Sequence, residues 1–295
     1  MSTGTTLFGY RVLAKLGTGA ASDIYAVQDP KTKQVWALKH VVKKTERDDR
    51  FIEQVENEHA VGSKLSHENV RGTFKIVRNR KLFRTTEIGL LMELVDATSV
   101  DRRLPKNQRQ AVEIFIQSGR ALAHMHSRGF VHADIKPTNI LVTDEGVVKV
   151  IDLGQACRIG LVKKRIQGTP GYMAPEQAHR SAISPRTDIY NLGATMYWIL
   201  LGEVIPTALP PKDDRDGLYS GAIDADRLEP PVPPHVKNPR IHPLLSKQIL
   251  DCVQVDEKDR PDSMALVVNR LELIRDLLDA PDQKSPPPSD EDTVF

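Results

Sequence analysis

Residues 130–141 read FVHADIKPTNIL: a histidine, an aspartate, a lysine and an asparagine with apolar residues on both sides. A solvated surface loop has no need of apolar walls, and a buried strand pair has no use for four polar side chains. The stretch therefore reads as a loop held in place for chemistry. Asp134 can take or orient the proton of an attacking hydroxyl, and Lys136 can neutralise a phosphoryl group in flight. Asn139 and a second carboxylate can hold a divalent metal between phosphates. Asp152 in VIDLG, just after the next short apolar run, supplies that carboxylate. An Asx-rich turn accounts for Asn139 or Asp152 singly but not for the ordered set.

The rest of the chain sets the frame. Its 295 residues, 40% of them hydrophobic, can bury a large core in one or two domains. A net charge of +2 gives no field that points to nucleic acid or a membrane surface, and neither is expected as a partner. Cys157 and Cys252 lack metal-ligand spacing and are too few for a disulfide framework, which fits a reducing cytoplasm. MSTGTTLFGY has neither the charged nor the apolar region of a signal peptide. The longest apolar stretch, 192–201, falls far short of the ~20 residues that span a bilayer. The reading is a soluble, cytoplasmic protein.

Two composition shifts divide the chain. Residues 10–95 hold short alternating apolar runs such as QVWALKHVV, interrupted by one helical segment near 49–65. From Asn107 the pattern turns helical, with Val112, Phe115, Ile116, Leu122 and Met125 at helix spacing. Helices continue to about residue 278, broken by the strand pair NILVT and VVKVID and by a proline-rich connection over 206–243. The end, QKSPPPSDEDTVF, reads as a disordered tail from 279. The expectation is an α+β chain with a small β-rich lobe, a short connection at 93–98, a larger helical lobe, and a ligand cleft between them.

In the first lobe, Gly17 and Gly19 of LGTGAASDIYAV read as a turn between strands, where backbone N–H groups can approach phosphate oxygens. Lys39 ends the strand VWALK, fifteen residues after Ile24, and would face the same cleft. Glu53, Glu56 and Glu58 lie in the following helix, and periodicity alone does not choose among them as its partner.

Taken in order, Gly17-Thr18-Gly19, Ala37-Leu38-Lys39, His132 to Asn139, Asp152-Leu153-Gly154, Ala174-Pro175-Glu176, DIYNLG at 188–193 and DRP at 259–261 resemble the eukaryotic-type Ser/Thr protein kinases. The resemblance covers about 10–278 and implies the bilobal kinase fold, with an antiparallel sheet and one main helix over 10–95 and a mainly helical lobe over 96–278. It leaves 1–9 as an N-terminal tail. It implies ATP and Mg2+ as cofactors and proteins with Ser or Thr acceptors as substrates.

Carried over residue by residue, Gly17, Gly19, Ile24 and Ala37 belong to the nucleotide pocket, and Lys39 contacts the phosphates and pairs with Glu58. Met92 is the gatekeeper, and the backbone of Glu93 and Val95 holds adenine. Asp134 is the catalytic base, Lys136 the phosphate-neutralising residue, and Asn139 and Asp152 the metal ligands. Thr169 would bond to Asp134 and Lys136, Glu176 would pair with Arg260, and Asp188 would tie down the catalytic loop.

Four positions depart from the family pattern. Ser22 stands for the third loop glycine, and Leu153 for the usual Phe. Gly62 takes the place of a large apolar residue between the lobes, which makes its helix weaker by about 1 kcal/mol and leaves room for an activating partner protein. Ala133 replaces the arginine that in most regulated kinases binds a phosphate on the activation segment, here 152–176, whose hydroxyls are Thr169 and Tyr172 alone. Activity without phosphorylation of that segment is expected. The run Lys163-Lys164-Arg165 reads as a solvated charged loop. A pseudokinase scaffold is the alternative from another class, with a small-molecule kinase behind it, disfavoured by the APE and DRP signatures.

Overall fold

The computed structural model describes residues 4–19, 21–82, 84–207 and 229–279. The first lobe is a six-stranded antiparallel sheet made of β1 (Thr6–Leu7), β2 (Tyr10–Thr18), β3 (Asp23–Gln28), β4 (Val35–Val42), β5 (Thr73–Lys81) and β6 (Arg84–Met92). Their spatial order is β1-β2-β3-β4-β6-β5. Strand alternation sorts its apolar residues onto two faces. Ala37, Val41, Ile88, Leu90 and Met92 pack with Ile52 and Val55 of helix α1 (Asp49–Gly62), while Leu38, Leu91, Tyr25 and Val27 pack with Leu7 on the other face. Leu7 is buried, so the sheet begins before Tyr10. β5 lies at the edge and carries Lys75, Arg78, Arg80 and Lys81, charges that discourage edge pairing.

The second lobe is built on α2 (Gln108–Ser127), α4 (Pro185–Leu201), α6 (Pro243–Cys252) and α7 (Met264–Asp279), with the short helices α3 (Pro175–Ala178) and α5 (Pro234–Lys237) between them. The Asn107 side chain caps α2 by accepting from Gln110 N at 2.9 Å, and Ser184 caps α4, where Pro185 occupies the first turn. α4 is apolar around most of its circumference, as a helix surrounded by others must be. Gly202, at φ 73°, ends it.

Short strands β7 (Thr98–Ser99), β9 (Ile140–Val142) and β10 (Val148–Val150) form one sheet, and β8 (Phe130–Val131) pairs with β11 (Cys157–Arg158). These frame the loop 132–139. The two lobes are joined at a second place besides the 93–98 connection: Val61, Leu65 and Val70 enter the core of the second lobe, and Val70 bridges to Val150. The expected tail beyond 279 and part of the proline-rich connection lie outside the described residues. Among the described residues no helix is long and apolar enough to cross a membrane.

Candidate active site

Between the lobes lies a cleft of about 300 Å³ lined by Gly19, Lys39, Asp134, Lys136 and Asp152 among others. These five residues come from four separate parts of the chain and converge on one cleft. Lys39 sits on β4, opposite Ile24 on β3. Its Nζ lies 2.7 Å from Glu58 Oε2 and 3.1 Å from Asp152 Oδ1. This settles the choice of acid: Glu58 is buried on the inner face of α1, whereas the Glu56 carboxylate reaches Arg78 at the surface. Burial alone would lower the Lys39 pKa, but Glu58 and then Asp152 outweigh it and hold the ammonium well above its ordinary range. Burial would likewise raise Asp152, and Lys39 outweighs it, so that carboxyl stays well below the usual range.

The loop 132–139 is shaped from below. Asp188, in the first turn of α4 and without solvent exposure, accepts from His132 N at 2.9 Å, Ala133 N at 2.8 Å and His126 Nε2 at 2.8 Å. Ala133 has φ 61°, in the left-handed region where a side chain is unfavourable, and those bonds hold it there. Asp134 then faces the cleft. Its Oδ1 accepts from Thr169 Oγ1 at 2.8 Å and its Oδ2 from Lys136 Nζ at 2.9 Å, while Lys136 also donates to Thr169 Oγ1 at 2.7 Å. A carboxylate offers about four lone-pair sites, so Asp134 retains capacity for a further hydroxyl.

Asn139 Nδ2 donates to Asp134 O at 2.9 Å, which commits the nitrogen end of the amide and leaves the oxygen end for a cation. Asp152, at φ 64°, opens a one-turn 3-10 helix, Leu153–Gln155, and a second carboxylate oxygen remains beyond the one that Lys39 holds. The donor set of Asn139 and Asp152 is all oxygen, as Mg2+ demands. It fits the implied metal.

Where the resemblance places adenine, Ala37 and Met92 are cross-strand partners on β4 and β6, with Met92 buried. The Glu93 N–H already donates to Gly72 O at 2.9 Å, so its carbonyl is the group free for a base. The Glu93 carboxylate is likewise engaged, with Gly72 N at 3.0 Å and Lys149 Nζ at 2.7 Å. Val95 is half-buried in the connection that follows.

Gly17 differs from expectation: it lies in β2, paired with Ile24, after a register shift at Lys15 that bends the strand. The turn proper is closed by Gly19 N donating to Ser22 O at 2.7 Å. Gly62 is also explained, since the Thr73 side chain fills the place where its side chain would be. Lys163 does not extend into solvent with Lys164 and Arg165; its Nζ donates to Gln155 O at 2.7 Å.

Several contributors carry no signal in their own sequence neighbourhood. Asn57 Nδ2 reaches the carbonyls of Leu153, Gly154 and Ala156, which ties α1 to the Asp152 turn. Gln177 Nε2 donates to Ala133 O at 2.8 Å and fixes the loop from α3. The expected pair of Glu176 and Arg260, by contrast, is legible from its APE and DRP signatures, and it forms buried and two-pronged at 2.8 and 2.9 Å.

Comparison with known proteins agrees with this geometry. The protein kinase domain family matches residues 10–270. PknA, a serine/threonine-protein kinase of Mycobacterium tuberculosis, is 30% identical over 82% of this chain and 57% of its own length. The serine/threonine-protein kinase pkn3 of Myxococcus xanthus is 30% identical over 88% of this chain and 48% of its own. The chain spans about half the length of these curated relatives. The crystal structure of the Mycobacterium tuberculosis PknI kinase domain superposes with a TM-score of 0.68 at 22% identity, covering 92% of this chain and 99% of that one. Motif order, site geometry and family match coincide, and the chain belongs to the protein kinase domain family.

Proposed function

We propose that residues 10–278 form a catalytic domain that transfers the γ-phosphoryl group of ATP to Ser and Thr hydroxyls of proteins, with no requirement for phosphorylation of its activation segment. The observation that carries this is the linked constellation Glu58–Lys39–Asp152 beside Lys136–Asp134–Thr169, assembled and hydrogen-bonded.

Asp134 accepts the proton of the incoming hydroxyl, and Lys136, 2.9 Å from it, supplies positive charge beside the transferring group. Lys39, fixed by Glu58, grips the nucleotide phosphates. Mg2+, when bound to Asp152 and the Asn139 amide oxygen, neutralises charge on those phosphates. Thr169, bonded to both Asp134 and Lys136, keeps the base and the cation at one spacing.

Independence from phosphorylation is supported by the two hydroxyls of the segment. Thr169 is occupied as described. Tyr172 packs against the core of the second lobe, and burial pushes its phenol up to about 12.

The test is labelled ATP with Mg2+, a basic acceptor protein and phosphatase-treated wild type beside Asp134→Asn and Asp152→Ala. Transfer by treated wild type alone is the expected result. Loss of transfer on phosphatase treatment overturns the independence, and binding of ATP without any transfer moves the chain to the scaffold class.

A further inference from the structure

The position that in a regulated kinase carries the phosphate-binding arginine is here an apolar, buried residue. Ala133 is fully buried and packs with Val131, Cys157 and Ile183. Neither Ala133 nor Cys157 can supply a cation, although the loop still has to be held against the catalytic machinery.

The path of the chain shows what holds it. After β11, Ile159 N bonds to Gly129 O at 3.1 Å, and residues 160–162 then pair with 182–183 through Gly160 N to Ile183 O at 2.8 Å and Ile183 N to Leu161 O at 2.9 Å. An antiparallel bridge from Val162 to Ala182 ends that ladder. The next residue, Lys163, turns inward and its Nζ donates 2.7 Å to the carbonyl of Gln155. Gln155 closes the 3-10 turn that begins after Asp152. The ammonium also feels the carboxylates of Asp134 and Asp188; burial is the larger influence and lowers its pKa. Lys164 and Arg165 stay exposed, so the inward turn is particular to one residue of the run.

We propose that Lys163 is a positioning residue: anchored on the Gln155 carbonyl, it locks the activation segment to the turn that carries Asp152, in place of an arginine before Asp134 and a loop phosphate. This rests on the phosphorylation-independent reading above. This N–H ties residue 163 back to residue 155, so the first part of the segment is closed onto the turn that carries Asp152. Since the cation comes from the segment itself, closure needs no modifying enzyme.

The experiment compares phosphatase-treated wild type with Lys163→Met, Lys163→Arg and the neighbouring Lys164→Met. Transfer kinetics, thermal unfolding and amide hydrogen exchange over residues 159–168 are read on each. Lys163→Met is expected to lower kcat about tenfold or more, the worth of one charge-assisted hydrogen bond, with KM for ATP unchanged and faster exchange in the segment. Lys163→Arg restores most of both, and Lys164→Met behaves as wild type. Wild-type kcat and exchange in Lys163→Met overturn the proposal. Should Lys163→Met fail to fold, Lys163→Gln takes its place, and failure of both makes Lys163 a stability residue, which also overturns it. If treated wild type transfers nothing, the reading beneath has failed, and hydrogen exchange still decides on Lys163.

Discussion

Gly62 and Thr73 offer a quantitative check on the packing behind α1. A Cβ added at Gly62 would lie 2.3 Å from Thr73 Oγ1, 2.8 Å from its Cγ2 and 3.1 Å from its Cβ. The first two distances are inside any real carbon contact, so Gly62→Ala forces Thr73 or the end of α1 to move. Overpacking of this kind costs about 1–3 kcal/mol. Alanine regains up to about 1 kcal/mol of helix propensity in a helix interior, and less at Gly62, which is the last residue of α1. A net loss of about 1–2 kcal/mol follows, or roughly 2–4 °C in Tm for a chain of this size.

Thr73→Ala removes both clashing atoms. It also removes a buried hydroxyl that finds no hydrogen-bond partner among the described residues. Relief of that orphan, about 1–3 kcal/mol, offsets the lost methyl contact, so the single change is close to neutral. In the Thr73→Ala background Gly62→Ala becomes harmless or stabilising, which gives a coupling of about 1.5 kcal/mol or more in a double-mutant cycle. Thermal unfolding of the four proteins measures it. Equal costs of Gly62→Ala in both backgrounds would refute the reasoning. Glu58 lies one turn before Gly62, so the single variant should also bind nucleotide more weakly, and the double variant should recover.

Two further outcomes follow from the buried charges. Arg260 uses all five of its N–H donors, on both Glu176 oxygens and on the carbonyls of Gln254, Arg186 and Val255, so Arg260→Leu strands a buried carboxylate and should cost about 3–5 kcal/mol; a Tm within error of wild type would contradict this. Burial is the largest single influence on Asp188 and would raise its pKa, but the His126 bond and charge, the charge of His132 and the Ala133 N–H together outweigh it and hold the carboxyl below its ordinary value. At neutral pH it therefore contributes stability that is lost as pH falls below about 4, where the unfolded chain binds the proton first. Asp188→Asn should flatten the acid limb of the stability curve, and an unchanged limb would show that other carboxylates set it.

What the sequence made legible and what it hid divide along a physical line. Asp134, Lys136 and Asn139 lie within six residues, and their roles follow from side-chain chemistry and a tight turn, so the loop could be read locally. Lys39 and Asp152 could be placed because short apolar strands flank them. The sequence suggested that Lys39 ends VWALK, but β4 runs on to Val42, and it is the strand period that fixes the face Lys39 presents, while Asp152 follows just after β10. Periodicity alone left three glutamates as partners of Lys39; the resemblance pointed to Glu58, and the docking of helix on sheet supplies the physical reason. Gly62 looked like a weakness because its reason, Thr73, lies on another element eleven residues away. Lys163 was hidden for the opposite reason: a run of three basic residues has the local character of a solvated loop, and only the Val162–Ala182 bridge turns one of them inward. Gln177 and Asn57 act through backbone carbonyls, which have no sequence identity to recognise.

The strained backbone at Ala133 shows why so much of the second lobe is given to holding one loop. A left-handed alanine costs of order 1 kcal/mol, and it persists only where its surroundings over-determine it. Here Asp188 takes its N–H, Gln177 gives to its carbonyl, and the side chain is walled by Val131, Cys157 and Ile183. The turn at Ala133 in turn directs Asp134 toward the cleft and away from the core. Asp188 can hold this post only as a buried anion, and it is stabilised there by the first turn of α4, by His126 and by the two N–H groups it fixes. α4 itself can be buried because it is apolar around most of its circumference and buried polar groups such as Asp188 and Thr195 are hydrogen-bonded. The aim of the Asp134 carboxylate therefore depends on the apolar packing of a helix that never reaches the cleft, and on the proposed function core variants along α4 should lower kcat through Asp134 before they alter nucleotide binding through Lys39 and Glu58.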